Sequence, residues 1–411
     1  MQGLVFDLSI PKYALAKAIG GTFPKVHYGR GSCLSLRELP PPKLPGPGWV
    51  RLKPILTGLC GSDLATLFFK ASPQLEPFNS FPAVLGHEIL AEITEVPDGV
   101  HGFSVGERVA VNPVLPCRLR GIEPRCAPCT AGHENGCEQT AEGCLAPGML
   151  IGFHKDLPGG MGSELVAHAS QLYPLPDEIS DDAGVLIEPL SVSLHAVLKS
   201  PPRDSDKVLI IGGGPVAFAT LWAIRALGLK CQVTLLTVEA YQLELAKTLG
   251  ANDVLRAAPD KEEAQEVARR TGAKVYQPTI GPPALAGGFE VTFDCVGTKA
   301  SLQDALRYTR AFGKVVLIGA AGHVHALDWT TVWKNELTVM GSYVYGLEDF
   351  RGQKRHTFEI TRELLARREG PDPSVLVTHR FPLAKYAQAI EANLSRGKHR
   401  SVKTVFDLRG S

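Results

Sequence analysis

The 411-residue sequence contains no run of about 18 consecutive apolar residues, which excludes a membrane-spanning helix. Its first residues, Met1 to Lys12, lack the basic region, apolar run and small-residue cleavage site of a secretion signal. The expectation is a cytoplasmic protein. An excess of one charge is also missing: 43 Lys and Arg stand against 42 Asp and Glu, a formal net charge of +1. Such a balance gives no reason to expect a nucleic-acid or membrane partner. There is no internal repeat and no low-complexity tract.

What is present is enough apolar material for sizeable cores, at 44% apolar and 21% charged residues. At this length a single core stops growing, so two domains are expected. Nine cysteines are an odd number, and four of them crowd between positions 117 and 137. Without a secretion signal, that pattern argues for metal ligands over disulfides.

The stretch from Cys60 to Glu88 opens with Cys-Gly-Ser-Asp (Cys60 to Asp63) and closes with Gly-His-Glu (Gly86 to Glu88). Thiolate sulfur and imidazole nitrogen suit Zn²⁺, and a catalytic zinc keeps three protein ligands and one open position. Taken singly, Cys60 reads equally as a small buried apolar residue, and Ser62 and Asp63 as helix-capping residues. Cys117, Cys126, Cys129 and Cys137 match a closed four-cysteine structural zinc site. Cys117 is the expected first ligand because a thiolate completes the sulfur set; Glu123 is the second candidate. Glu188 precedes Pro189 and by itself reads as an acid at a helix N-terminus.

Around Cys60 to Glu88, short strand-like runs (Val50–Leu56, Glu88–Val96, Gly106–Val111, Ser163–Ala167) are punctuated by turn residues, as in an antiparallel β domain. Residues 1 to about 50 end in a Pro-rich extended connection and show no chemistry. From Lys207 the pattern changes to buried strands alternating with helices. Val208–Ile211 leads into Gly212-Gly213-Gly214-Pro215-Val216-Ala217 and then a helical run, the dinucleotide-binding arrangement in which a tight glycine turn lets pyrophosphate approach a helix N-terminus. The ribose-binding acid expected some 20 residues on falls at Thr237, which cannot play that part, with Glu239 two residues further. No Arg or Lys stands between 237 and 242, which favours NAD over NADP. Cys295-Val296 and Gly319 follow later strands, where loops line a cofactor cleft.

Taken together, these motifs resemble the zinc-dependent branch of the medium-chain dehydrogenase/reductase superfamily, most nearly its sorbitol and threonine dehydrogenase type. The resemblance covers nearly the whole chain in the same order. It implies an α/β protein with a doubly wound parallel Rossmann sheet at 194–349. It also implies a GroES-like antiparallel β catalytic domain with a structural zinc lobe, from 1–193 and 350–411. It implies two zincs per chain, the catalytic one among Cys60, His87, Glu88 and Glu188, with Ser62 relaying the substrate proton and Asp63 orienting His87. Ser342 and Tyr343 resemble the nicotinamide wall. The implied reaction moves a hydride between a secondary alcohol, polyol or hydroxy-amino acid and NAD(P), in a homodimer or homotetramer.

The sequence departs from the family at Ala65, where many relatives carry a His that passes the proton to solvent. A zinc-independent quinone or enoyl reductase and a non-catalytic nucleotide-binding protein are the alternatives. The first lacks the Cys60 and His87 type of ligand; the second is excluded by measurable hydride transfer.

Overall fold

The computed structural model describes residues 1–410. They form two compact units, one from Met1–Glu188 and the chain from Val377 on, the other Pro189–Leu376. The boundaries expected at 193/194 and 349/350 are thus displaced to 188/189 and 376/377.

In the first unit β1 (Gln2–Phe6) is followed by α1 (Ile10–Ile19) and β2 (Leu34–Glu38), and the Pro-rich segment 39–48 then forms neither helix nor strand, as the connection expected there. Next come β3 (Trp49–Gly58), α2 (Gly61–Leu67), β4 (Ala83–Val84), β5 (Glu88–Glu95) and β6 (Arg108–Val111). A short α3 (Ala127–Thr130) lies among the clustered cysteines, before β7 (Leu165–His168), β8 (Leu172–Pro174) and α4 (Asp181–Val185). β1 is the middle strand of a small sheet, between β2 and β4. Alternating apolar positions of β3 and β5, among them Val50, Leu52, Ile89, Ala91 and Ile93, meet Val109 and Val111 in a fully enclosed core. Burial alternates only at Val50–Lys53 of β3 and Ala91–Thr94 of β5; the end of β3 and the start of β5 are buried on both faces.

The second unit takes α5 (Ile187–Lys199) into an alternation of strands and helices. β9 (Lys207–Ile211), α6 (Pro215–Ala226), β10 (Gln232–Thr237), α7 (Ala240–Thr248), β11 (Asp253–Arg256) and α8 (Asp260–Thr271) come first. A two-stranded insertion, β12 (Lys274–Tyr276) and β13 (Ala284–Ala286), precedes β14 (Phe289–Asp294), α9 (Lys299–Tyr308), β15 (Thr309–Leu317), α10 (Thr330–Lys334) and β16 (Thr338–Gly341). Six strands make one parallel sheet in the order β11-β10-β9-β14-β15-β16. This is a doubly wound Rossmann sheet.

The strand expected to reach Val344 is shorter: β16 ends at Gly341, and three residues on Val344 takes a positive φ of 45°, which a strand does not accommodate. A hairpin, β17 (Leu347–Phe350) with β18 (Gln353–His356), leads into α11 (Thr357–Ala366). This helix was expected to return to the first domain. It belongs to the second unit because its inward side is satisfied there: Phe358 meets Tyr345 at a ring distance of 4.7 Å, and Thr361 hydrogen-bonds Ser191 at 3.0 Å.

The chain then rejoins the first unit as β19 (Val377–Pro382), α12 (Tyr386–Leu394), α13 (Arg396–His399) and β20 (Lys403–Asp407). The large sheet runs β19-β20-β3-β5-β6-β8, with β7 also on β3. Antiparallel pairing of β20 with the end of β3 brings the C-terminal strand beside the segment carrying Cys60.

Candidate active site and metal centres

Cys60 stands where β3 turns into α2, and its backbone N–H donates to Asp63 Oδ2 at 2.9 Å. The Asp63 carboxylate thereby caps the first turn and is fixed in a fully enclosed position. His87 is delivered by Gly86, whose φ of 96° and close neighbours Met161 and Thr57 leave no room for a Cβ. Asp63 Oδ1 faces His87 Nδ1 at 3.6 Å, and Ser62 Oγ lies 3.2 Å from Nε2. An acid on the Nδ1 side favours the tautomer whose Nε2 lone pair is free for a metal.

One donor atom each from Cys60, His87 and Glu88 lies within 4.8 Å of the others. The Glu88 carboxylate is ion-paired with Lys403 Nζ, and both side chains are almost inaccessible. Lys403 also donates to Leu59 O at 3.3 Å. Gly58 makes this geometry tenable, since a Cβ there would strike Glu88. Glu188, the last residue of the first unit, lies outside the three-donor group but within its electrostatic reach. Burial first, then the neighbouring Glu88 and Asp63, push its pKa up to about 8 against the opposing pull of His87 and Lys403. Burial works to lower the His87 pKa, but the charges of Asp63 and Cys60 outweigh it and hold it well above its ordinary value.

This set fits a divalent cation. Asp63, Glu88, Glu188 and the Cys60 thiol are opposed by a single buried lysine, and the sulfur, nitrogen and oxygen donors are those zinc takes in catalytic sites. Phe153, 5.4 Å from the His87 ring, forms an apolar wall beside it.

The second cluster joins Cys117, Cys126, Cys129 and Cys137, again with all donor atoms within 4.8 Å. Cys117 Sγ lies 3.6 Å from both Cys126 Sγ and Cys137 Sγ. Glu123 is exposed and pairs with Arg125 at 3.2 Å instead. Arg120, fully buried, ties the lobe together by donating to the carbonyls of Leu115, Glu142, Leu145, Ala146 and Gly148. Burial pushes the Cys137 thiol up to about 11. Four sulfurs so close suit a closed tetrahedral zinc site.

In the second unit, Gly212 has a φ of 130°, Gly214 is the N-cap of α6 and Pro215 its first residue, with Val216 next. A Cβ at Gly213 would collide with Thr237 Oγ1 and Gln242 Oε1. Those two groups hydrogen-bond each other, and Gln242 Nε2 donates to Gly213 O at 2.8 Å. Thr237 is therefore buried beneath the turn, while half-exposed Glu239 stands at the N-cap of α7. Cys295 and Val296 follow β14, and Gly319 follows β15 so closely packed on Val296 and Gly297 that a Cβ would not fit. Ser342, after β16, donates its N–H to Leu317 O at 2.9 Å, and Tyr343 is exposed. All of these lie at the carboxyl ends of the parallel strands, where open α/β sheets bind ligands.

Two residues escaped the sequence reading. Lys403 was hidden inside an apolar terminal strand; its signal was a lysine amid Val402, Val405 and Phe406. Arg256, at the end of β11, lies in register with Thr237, and its Nε donates to Val238 O at 3.1 Å. It supplies a cation from a neighbouring strand, outside positions 237–242.

Family models for an alcohol dehydrogenase GroES-like domain and a zinc-binding dehydrogenase match residues 46–177 and 215–358. The chain is 30% identical to an L-idonate 5-dehydrogenase of Vitis vinifera, over 88% of this chain and 89% of that protein. It is 31% identical to the sorbitol dehydrogenase of Homo sapiens, over 89% and 91% respectively. Among solved structures, galactitol-1-phosphate dehydrogenase from Escherichia coli superposes with a TM-score of 0.72 at 23% identity, covering 99% of this chain and 100% of that one.

Proposed function

Because the chain belongs to the zinc-dependent medium-chain alcohol dehydrogenase family, we propose that its Cys60, His87 and Glu88 cluster is the catalytic metal centre of a polyol dehydrogenase. The protein is an oxidoreductase that transfers a hydride between a secondary alcohol or polyol and NAD(P). The single observation that carries the site assignment is the convergence of those three donors beside a buried Asp63.

Cys60, His87 and Glu88 hold zinc in this reading, with Glu188 facing the same position. Bound there, zinc supplies the Lewis acidity that lowers the pKa of a hydroxyl brought to it. The chain's own groups do the rest. Asp63 orients His87. Lys403 neutralises Glu88 and fixes where its carboxylate points. Ser62, whose Oγ lies beside the His87 ring, would take the substrate proton, and with Ala65 in place of a histidine that proton would leave through water or the cofactor ribose. The glycine turn and the N-terminus of α6 receive the pyrophosphate. The second zinc belongs to Cys117, Cys126, Cys129 and Cys137.

NAD is the proposed cofactor, with Glu239 reaching the ribose hydroxyl. Arg256 favours a second reading, NADP, because its guanidinium lies over the β10–α7 turn where a 2′-phosphate would come. Nine unbridged cysteines support a reducing, cytoplasmic setting, and a homodimer or homotetramer is part of the proposal.

The test is a panel of polyols, simple secondary alcohols and hydroxy-amino acids, each with NAD and NADP, run on the native chain and on Cys60→Ser. The reading requires cofactor reduction with a polyol that is lost in the variant. Equal rates in both proteins would overturn it.

A further inference from the structure

Helix α1 is built inside out. Its two i, i+4 rows Ile10-Ala14-Ala18 and Pro11-Leu15-Ile19 are apolar throughout and exposed throughout. Ile10 is 81% exposed and Leu15 53%. At about 100° per residue these six positions sweep an arc of roughly 180°. The opposite side packs on the protein through buried Ala16 and also carries exposed Tyr13, with Lys12 and Lys17 at its two borders. Lys12 Nζ donates to Ser32 O at 2.9 Å, Lys17 Nζ to Phe69 O at 3.2 Å, and Tyr13 stacks edge-on against Phe69 at 4.8 Å. Leu8 before the helix and Phe23 after it, 46% and 62% exposed, extend the apolar surface. An isolated exposed leucine means nothing, but a contiguous apolar face of this kind marks a partner surface.

Charge identifies the partner. From Leu8 to Arg37 the sequence holds Lys12, Lys17, Lys25, Arg30 and Arg37 and no Asp or Glu; Lys25 pairs with Glu391 and Arg37 with Asp7, which leaves Lys12, Lys17 and Arg30 as the cations without an acidic partner among the described residues. The near-zero net charge of the whole chain conceals this local excess. Lys12 and Lys17 fall roughly 20° beyond the two edges of the apolar arc. Those are the positions from which lysines reach headgroups when an apolar helix face sinks into acyl chains. A second copy of the chain fits less well, since pairing this face with itself would set its lysine borders against like charge. We propose that α1 docks the protein on an anionic lipid surface, Ile10, Leu15 and Ile19 entering the bilayer interface and Lys12 and Lys17 flanking them.

The test is sedimentation of the full chain with vesicles of equal parts phosphatidylglycerol and phosphatidylcholine, beside vesicles of phosphatidylcholine alone. The native chain is expected to bind the anionic vesicles, and less so in high salt, which screens surface charge. A Leu15→Glu/Ile19→Glu protein is expected to partition at least about tenfold more weakly, since each of those side chains contributes on that scale when buried. Both sites are exposed, and unchanged far-UV circular dichroism checks that the variant folds. A Lys12→Gln/Lys17→Gln protein should lose the preference for anionic over neutral vesicles. A native chain that stays in the supernatant, or a double-Glu variant that binds equally well, overturns the proposal. If neither protein binds vesicles and the variant alone falls apart to a smaller assembly in size-exclusion chromatography, the face belongs to a second copy and the proposal is equally overturned.

Discussion

Glu88 and Lys403 form a buried ion pair that joins the segment after the Gly-His-Glu turn to the C-terminal strand. Each charge is neutralised by the other in a place that water does not reach, so neither can be removed alone at small cost. A Lys403→Met protein should lose about 3–5 kcal/mol of stability, the usual consequence of leaving one buried charge unpaired. Joint replacement with Glu88→Gln should recover part of that loss. Denaturant unfolding with no metal at the Cys60, His87 and Glu88 cluster measures both, and a single variant as stable as the native chain would show that the pair contributes nothing.

The sulfur lobe gives a direct contrast between two residues. Cys117→Ser should lower zinc content by about one per chain, because a closed structural site holds its metal through four ligands. Glu123→Ala should leave zinc content unchanged, since that carboxylate faces Arg125 and solvent. Metal analysis of the two purified variants decides the point; loss of zinc only in the Glu123 variant would reverse the assignment.

Position 65 should limit proton exit. An Ala65→His protein is expected to oxidise its best alcohol faster at neutral pH, toward the lower part of the roughly 10²–10⁴-fold range typical of positioned acid–base groups. Stopped-flow cofactor reduction separates this from product release. No acceleration would mean that water or the ribose already carries the proton without delay.

His154 should make the fold acid-sensitive. Burial, helped by the nearby Arg120, lowers its pKa to about 4. Its Nδ1 accepts from the backbone N–H groups of Asp156 and Leu157, and its Nε2 meets Ala146 O at 2.9 Å, an arrangement suited to the neutral ring. The folded chain thus binds this proton less readily than the unfolded chain. The associated stability is full above the ordinary histidine value of about 6.5 and is lost as the pH falls toward 4, amounting to about 3 kcal/mol. Unfolding midpoints across that window should fall more steeply for the native chain than for His154→Gln. Parallel curves would contradict the assignment.

Cofactor choice should respond to two residues in opposite ways. Glu239→Ala is expected to weaken use of NAD, and Arg256→Ala use of NADP, each by about 1–2 kcal/mol, the order of a hydrogen bond to a charged group. Steady-state kcat/KM with both cofactors measures the switch.

The parts of this architecture that local chemistry dictates were readable in advance. The strand–glycine–helix order after Val208 and the cysteine spacing depend on neighbours in sequence and appear at their expected place, whereas the period-two pattern expected for Val50–Leu56 holds only through Lys53, beyond which the strand is buried on both faces. What escaped depends on pairing between distant segments. Lys403 is a functional neighbour only because β20 lies against β3, and Arg256 only because β11 lies against β10. The α11 helix has the same amphipathic pattern whichever unit it packs on, so its membership was decided by Tyr345 and Ser191. Glu188 was read from the family pattern as facing the metal; its burial and raised pKa agree with that neighbourhood, while the three-donor cluster forms without it.

The most direct test of the catalytic centre is zinc per chain together with polyol-dependent cofactor reduction, before and after chelation, on the native protein and on Cys60→Ser. The account predicts about two zincs in the native chain and about one in the variant, as expected for one catalytic and one structural site. It also predicts that chelation abolishes native turnover and that the variant is inactive throughout. A Cys60→Ser protein that keeps both zincs, or native turnover that survives removal of the metal, would contradict it.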